Sequence, residues 1–394
     1  MMSAVLSNPD HPEYGVATIP FPVPRDQYTY CMDLLEALEI GDTVKADCKM
    51  EKVDSFYTVL KRVEMLTVNV EELNYLAKRL ESFDTGEAAQ FQAMAHKLEL
   101  FELKDLINLT FCCQQATVIT DFSDLAAIGR DHYMNLHGGC ASVDELNKLD
   151  GKETARQLIE SGSGTVTPYG VVYDNGMKLE QVYDGRFFPC YYYKPNAITV
   201  AVTSKAEPEG TEHITWLFLP MVQEEIDRAF LRGGITDPAD VRLRLEDSQF
   251  PNEVDVLLDM EYETLSDLNE LAAATDGLSN ADMEKLGAVV TLAKPKSAAQ
   301  IKNLAESLDL FDLAPGAHTP QEYGKYMIQQ SGRFDYDENL DAFYDYEKYG
   351  TERMNAEDGM FTDRGYIAYK GYYSMEEVMN GDQSSHMVLG GLSR

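Results

Sequence analysis

The chain repeats its own pattern at a constant offset of 195 residues, and this repeat limits the fold more than any other feature. Residues 73–77 (LNYLA) precede residues 268–272 (LNELA) by that offset. Further pairs at the same offset are Leu106/Ile301, Asn108/Asn303, Leu109/Leu304, Gly129/Gly324, Arg130/Lys325, Thr167/Thr362, Gly170/Gly365 and Gly176/Gly371. Solenoid repeats have periods of roughly 20–50 residues. The spacing therefore predicts a tandem duplication of a larger unit, over residues 16–176 and 214–371.

Within each copy the hydrophobic spacing alternates between strand and helix patterns, which predicts an α+β fold. In the first copy we expect a strand from Val16, helices over 25–38, 70–83, 88–98 and 103–111, and short strands over 43–65. Residues 1–15 are predicted to be a loose lead-in. Residues 177–213 are predicted to form a hairpin or short sheet followed by a linker.

The whole chain is strongly acidic, with 67 Asp and Glu against 33 Lys and Arg and a formal net charge of −34. Such a charge repels nucleic acid and anionic membrane surfaces. It is typical either of a solubility device or of a surface that meets a basic partner. No apolar run reaches the ~20 residues of a membrane span, and no secretory signal precedes the fold. The six cysteines show no regular spacing, which favours reduced thiols in the cytoplasm.

One stretch concentrates this charge: residues 245–284 contain no Lys or Arg. Ordinary surfaces intersperse the two signs, so this absence favours a dedicated negative surface. In residues 252–258, Glu253 and Asp255 alternate with Val254, Val256 and Leu258, which predicts a half-buried strand with an acidic outer face. The predicted acidic surface comprises Glu246, Asp247, Glu253, Asp255, Asp259, Glu261, Glu263, Asp267, Glu270, Asp276, Asp282 and Glu284.

Catalytic and cofactor patterns are missing from the sequence. The seven histidines form no metal-ligand spacing, and no nucleophile elbow, phosphate-binding loop or dinucleotide fingerprint occurs. We therefore expect no catalytic residue, no metal and no cofactor, although a carboxylate pair could be hidden among so many acids. The net charge of the chain can be compared with the charge of a DNA duplex. At about one charge per ~1.7 Å, 34 charges correspond to roughly 58 Å of duplex, or about 17 base pairs.

The second copy, from Thr215 to about Tyr369, resembles the ArdA family of antirestriction proteins, small acidic proteins of conjugative plasmids, transposons and phages. The similar segments are residues 215–220 (TWLFLP), the acids before Tyr262, residues 265–271 (LSDLNEL) and residues 323–328 (YGKYMI). Most specific is the run at 339–350 (NLDAFYDYEKYG), which matches the family's antirestriction motif and is followed by Gly359, Phe361, Gly365 and Tyr366. The motif and predicted dimer-contact residues are Asn339, Leu340, Phe343, Tyr344, Asp345, Tyr346, Glu347, Tyr349 and Gly350.

The resemblance implies an elongated molecule with three small domains per copy: mixed α/β, helical, and a second mixed α/β domain. The predicted ranges are 16–66, 67–116 and 117–176 for the first copy, 214–262, 263–309 and 310–372 for the second, and 373–394 for a C-terminal tail. It also implies a non-catalytic DNA mimic that occupies the DNA-binding cleft in the methyltransferase core of type I restriction–modification enzymes. The resemblance further implies that the protein forms a homodimer or that its two copies form an internal pseudo-dimer. The first role expected of the motif tyrosines is internal packing and dimer contact.

The first copy departs from the family pattern, because residues 144–151 (DELNKLDG) replace the tyrosine-rich run. Three roles other than inhibition stay open for the first copy: the second half of a pseudo-dimer, extra length of the mimic, or contact with another partner. Three other functions stay open: mimicry directed at a CRISPR nuclease or a transcription regulator, an acidic adaptor that recruits a basic protein, and an enzyme with a carboxylate cleft.

Overall fold

The computed structural model describes residues 2–208, 210 and 213–381, and it confirms an α+β chain built from several small sheets and many helices. The chain divides into two compact units. The first unit comprises Met1–Lys194, Gly210–Thr215 and Val222–Pro238, and the second comprises Pro195–Glu209, Trp216–Met221 and Ala239–Arg394. The predicted division into six domains is finer than these two units, and it stays a prediction. None of the described helices is long and apolar enough to cross a membrane.

The strands of the first unit are β1 (Met2–Ser7), β2 (Val16–Phe21), β3 (Cys48–Asp54), β4 (Thr67–Val68), β5 (Thr117–Ile119), β6 (Thr165–Thr167) and β7 (Gly170–Tyr173). Its helices up to residue 160 are α1 (Tyr28–Glu36), α2 (Val70–Glu81), α3 (Thr85–Lys97), α4 (Leu103–Leu109), α5 (Leu125–Leu136), α6 (Val143–Lys148) and α7 (Gly151–Glu160). The first four strands form an antiparallel sheet in the order β2-β1-β3-β4. The other three form a sheet in the order β5-β7-β6, and its residues Ile119 and Tyr173 share a buried cluster with Ile128 of α5 and Leu158 of α7.

The second half of the chain presents the same kinds of element in a similar order. Its strands are β8 (Ile198–Ser204), β9 (Thr215–Leu219), β10 (Val241–Ser248), β11 (Phe311–Pro315), β12 (Asp358–Thr362) and β13 (Gly365–Tyr369), in sheets ordered β10-β8-β9 and β11-β13-β12. Its helices are α8 (Gln223–Gly233), α9 (Asn252–Asp255), α10 (Leu265–Thr275), α11 (Asn280–Ala293), α12 (Ala298–Ala305), α13 (Pro320–Gln329), α14 (Tyr346–Ala356) and α15 (Met375–Met379). Helix α8 belongs to the first unit.

One expectation for the loops was wrong, and another was correct only in part. Residues 2–7 are not a loose lead-in but form β1, which lies between β2 and β3 and buries Ala4 and Leu6 on one face of the sheet. The hairpin or short sheet expected in 177–213 does include a strand, β8, over the alternating residues 198–202. However, β8 is the middle strand of a sheet with β9 and β10, and residues 177–197 contain no strand in the described structure. Of the predicted tail, α15 is described and residues 382–394 lie outside the described residues.

Several contacts recur at matched positions in the two units. Thr167 Oγ1 donates to the Gly170 carbonyl at 2.8 Å, and Thr362 Oγ1 donates to the Gly365 carbonyl at 2.8 Å. The α5–α7 pair in the first unit and the α13–α14 pair in the second both cross at a glycine. A Cβ on Gly129 would lie 1.8 Å from the Gly151 oxygen, and one on Gly324 would lie 2.0 Å from the Tyr346 oxygen. Only glycine permits so close an approach of two backbones.

Candidate functional site

The twelve predicted surface carboxylates lie on β10, on α9, α10 and α11, and on the connections between them, all within the second unit. None of the twelve is buried. Seven are exposed, namely Glu246, Asp247, Asp259, Glu261, Glu270, Asp276 and Glu284. Five are half-buried, namely Glu253, Asp255, Glu263, Asp267 and Asp282.

Basic residues from outside the stretch pair with several of these acids, contrary to the inference from the missing Lys and Arg. Arg364, in the turn between β12 and β13, donates to both carboxylate oxygens of Glu253 at 2.7 and 2.8 Å and also bonds Glu284. Lys302 Nζ lies 3.1 Å from Glu270 Oε2, and Arg244 Nη2 lies 3.0 Å from Glu246 Oε2. The absence of Lys and Arg from residues 245–284 therefore does not mean that these acids have no basic neighbours in the folded chain.

Residues 252–258 are helical at their start, so the predicted strand was wrong. Pro251 precedes the short helix α9, and its carbonyl accepts from the Val254 amide at 2.8 Å. Val254 is 0% exposed and Leu258 8%, whereas Val256 between them is 75% exposed. Burial at positions i and i+4 is the helical period, and a strand would have buried all three. The period-2 pattern over so few residues did not distinguish the two structures.

Three of the acids serve the start of a helix. Asp267 accepts from the Thr264 hydroxyl at 2.7 Å at the start of α10, and Asp282 accepts from the Ser279 hydroxyl at 2.7 Å at the start of α11. Glu263 accepts from the Ala298 amide at 3.0 Å, the first residue of α12. Acids at these positions complement the helix dipole. Their first role is thus structural, although their charge still contributes to the surface.

Burial raises the pKa of two of the half-buried acids. Burial is the main cause for Glu263, and the nearby charges of Asp267 and Asp259 raise its pKa further. Asp255 shows the same direction for the same first cause, and its Oδ1 is buried without a hydrogen-bond partner among the described residues. The opposite holds for Glu253, whose pKa is lowered chiefly by its hydrogen bonds from Arg364. The charge of the surface is therefore not uniform.

Sequence reasoning missed two exposed apolar side chains among the acids. Tyr262 is 79% exposed between Glu261 and Glu263, and Val256 is 75% exposed beside Asp255. The first copy has Thr67 and Lys61 at the corresponding positions. A comparison at the constant offset could have identified both.

The tyrosine-rich motif spans the end of a long connection and the start of α14. Phe343 is 83% exposed and Leu340 is 47% exposed, while Gly350 is buried against the Pro320 carbonyl of α13. Tyr344, Tyr346 and Tyr349 are half-buried. Asn339, Asp345 and Glu347 are exposed, and Asp345 caps α14 through the Lys348 amide at 3.1 Å. The motif thus combines internal packing with an exposed apolar edge.

A single carboxylate oxygen organises this region, and the predicted site residues did not include it. Asp341 Oδ1 accepts from the Tyr336 hydroxyl at 2.7 Å, the Tyr346 hydroxyl at 2.5 Å and the Gln329 amide at 2.8 Å. The hydrogen bonds from Tyr346 and then Tyr336 lower the pKa of Asp341. The bond to Asp341 in turn raises the pKa of Tyr336. Gln329 and Tyr336 lie outside residues 339–350, so the family motif did not identify them.

The described residues contain no group of three or more His, Cys, Asp or Glu side chains that could hold a metal ion. A cavity of about 440 Å³ lies in the second unit, lined by Phe250, Asp276, Asn280, Glu284, Arg364 and neighbouring residues. In the first unit, burial raises the pKa of the Cys113 thiol, as expected for a core cysteine.

Comparison with known proteins assigns one part of the chain. Residues 208–368 match the family model described as "Antirestriction protein (ArdA)". This range contains the twelve acids, Arg364, the Asp341 node and the tyrosine-rich motif. A search of curated proteins found no match.

Proposed function

We propose that this chain, in which residues 208–368 match the ArdA antirestriction family model, is a non-catalytic antirestriction protein that mimics DNA. Its target would be the methyltransferase core of a type I restriction–modification enzyme. The carboxylates of residues 245–284 would occupy the basic cleft that otherwise holds DNA phosphates. We also propose that the protein is encoded by mobile elements and acts in the cytoplasm, because it would meet such enzymes there.

One observation supports this proposal: seven of the twelve acids of the stretch are exposed in the family-matching part of the chain, and none of the twelve residues is buried. Asp247, Asp259 and Glu261 are among the exposed ones and lie in the segment that has no Lys or Arg. Exposed like charges steer an oppositely charged partner and raise the association rate. A cleft that binds DNA backbone supplies such a partner, because its Lys and Arg are arranged to neutralise phosphates.

The decisive experiment is a competition between this protein and a DNA duplex for a purified type I methyltransferase core. We expect binding at low salt, release of the DNA, and affinity that falls as salt rises. An unrelated protein of similar net charge is the control and should not displace the DNA. Failure to bind at low salt would overturn the proposal for this target.

Other targets are separated by the same assay. A CRISPR nuclease or a transcription regulator would be displaced from DNA while the methyltransferase core is not. An acidic adaptor would instead form a ternary complex with its partner and DNA. The exposed Tyr262 favours a binding protein over a diffuse charged surface, because tyrosine is enriched at interface hot spots.

We further propose that the motif forms a homodimer contact. The support is the exposure of Phe343 and Leu340, which lie three residues apart in one 3-10 helix and therefore share a face. Contiguous exposed apolar side chains are typical of interaction sites. Sedimentation of the full chain should give twice the monomer mass at micromolar concentration.

The chain also supports a duplication. The two helix pairs cross at Gly129 and Gly324, each against the first residue of the next long helix, at the offset of 195 residues. The matched Thr167 and Thr362 turns add support from a different element. We propose that the first copy is a diverged repeat of the second.

A further inference from the structure

The connection between α13 and α14 is long, running from Gln330 to Asp345. Helix–helix connections usually have about 2–8 residues, and longer ones need internal contacts to keep one conformation. This connection contains one short 3-10 helix, Glu338–Phe343. It also carries the exposed side chains Phe343 and Leu340. Something must therefore hold it in place.

The Asp341 node provides that restraint. Gln329 is the last residue of α13, Tyr346 is the first residue of α14, and Tyr336 lies midway along the connection. All three donate to the same oxygen, Asp341 Oδ1. Gln329 also donates to the Tyr336 and Tyr346 hydroxyls, at 3.1 and 3.0 Å. Hydrogen bonds to an ionised acceptor are stronger than neutral ones.

The first copy lacks every member of this node. At the offset of 195 residues, Met134, Ala141, Leu146 and Gly151 stand where the second copy has Gln329, Tyr336, Asp341 and Tyr346. The correspondence does not depend on sequence alone. The carbonyl that faces Gly129 belongs to Gly151, and the one that faces Gly324 belongs to Tyr346. The node is therefore a feature of the second copy and has no counterpart in the first.

We propose that Asp341 is a positioning residue: it fixes the connection 330–345 so that Phe343 and Leu340 are presented to a second copy of this chain. This inference rests on the homodimer contact proposed above and names the group that prepares it. Without the negative charge, an oxygen at this position accepts the hydrogen bonds of the two phenols and the amide more weakly. The connection then becomes more mobile, and ordering it on dimerisation costs conformational entropy.

The test uses the full chain with Asp341→Asn, which keeps the shape and removes the charge. We expect faster amide hydrogen exchange in 330–345 and a dimer dissociation constant raised by about tenfold. The thermal transition should remain cooperative. Tyr336→Phe and Tyr346→Phe should each change exchange and dimerisation less than Asp341→Asn does. When either is combined with Asp341→Asn, the effect of the double variant should be smaller than the sum of the two single effects.

Tyr326→Phe is the matched control. Tyr326 is a half-buried tyrosine of α13 that lies outside the motif 339–350, and its hydroxyl is not among the donors to Asp341. It should change neither exchange in 330–345 nor dimerisation. If Asp341→Asn unfolds the protein, the single Tyr336→Phe variant gives the same comparison with a milder change.

Three outcomes would overturn the inference: unchanged exchange in 330–345, faster exchange with an unchanged dimer constant, or a wild-type chain that stays monomeric. None of these affects binding to the methyltransferase core, which is measured separately. Failure of the positioning role is thus distinguishable from failure of the antirestriction function.

Discussion

Arg364 Nε and Nη2 donate to the two carboxylate oxygens of Glu253 at 2.7 and 2.8 Å, across 111 residues of sequence. The pair joins the β12–β13 turn to α9. Its bidentate geometry gives both energy and direction. One of the twelve acids that define the proposed mimic surface is therefore also part of the internal structure of the second unit.

The first prediction concerns this pair. Arg364→Gln should lower the free energy of unfolding of the second unit by about 2 kcal/mol, because it removes charge-assisted hydrogen bonds between two mostly buried side chains. Chemical denaturation of the full chain measures the change. Arg244→Ala is the control, since Arg244 and Glu246 form an exposed pair whose loss should cost about 0.5 kcal/mol or less. Equal costs for the two variants would contradict the prediction.

The sequence was informative where a pattern extended over many residues. Helix α2 follows a long apolar spacing, and its predicted position, residues 70–83, agrees with the structure. Short patterns misled: Val254, Val256 and Leu258 fit a strand over seven residues, yet the chain forms a turn of helix after Pro251. In so short a run, local periodicity cannot separate the two structures.

The site was less predictable than the fold because its key relationships are long-range. Arg364 and Glu253 are 111 residues apart in sequence and form their hydrogen bonds only in the folded chain. Asp341 gathers donors from α13, the connection and α14, and its neighbours in sequence give no sign of this. What the sequence could offer was the comparison of copies, in which four matched positions differ together. These four differences become visible only when residues 195 positions apart are treated as structurally equivalent.

The second prediction concerns the acidic surface. Asp259→Lys with Glu261→Lys should weaken binding to the target by about tenfold or more, because both exposed acids lie in the stretch without basic residues. Binding is measured at several salt concentrations, and the salt dependence should become shallower. Asp54→Lys with Glu81→Lys is the matched control, since both acids are exposed in the first copy. A similar loss for the control pair would contradict a role centred on residues 245–284.

The third prediction concerns the pH dependence of stability at Asp255. Burial raises the pKa of this acid, so its ionised form is less favourable in the folded than in the unfolded chain. The cost is absent below the ordinary pKa of about 4, grows as the pH rises through that value, and is complete above the raised folded pKa. Asp255→Asn should therefore stabilise the protein at pH 7 by about 0.5 kcal/mol, allowing for solvent screening.

The measurement for Asp255 is a pair of denaturation curves at pH 7 and pH 3. The gain should vanish at pH 3, where both chains carry a neutral group at this position. Glu261→Gln provides the control, because Glu261 is exposed and should show little change at either pH. A gain at pH 3 equal to that at pH 7 would show that packing, rather than charge, causes it.

The fourth prediction tests whether the two copies share one packing rule. Gly324→Ala should destabilise the α13–α14 pair by about 3 kcal/mol, because the added Cβ would lie 2.0 Å from the Tyr346 oxygen and the backbones would have to separate. Gly129→Ala should cost a similar amount in the α5–α7 pair, where the corresponding distance to the Gly151 oxygen is 1.8 Å. Thermal unfolding with hydrogen exchange locates each change in its own unit.

Gly86→Ala in α3 is the control for both glycine variants, since its nearest neighbour is the Asp84 side chain at 3.2 Å, which can move. It should alter stability by less than about 1 kcal/mol. Similar costs for Gly324→Ala and Gly129→Ala would indicate that the two helix pairs pack in the same way at matched glycines. If Gly324→Ala is costly and Gly129→Ala is tolerated, the two crossings are not equivalent, and the correspondence of Tyr346 with Gly151 loses its structural support.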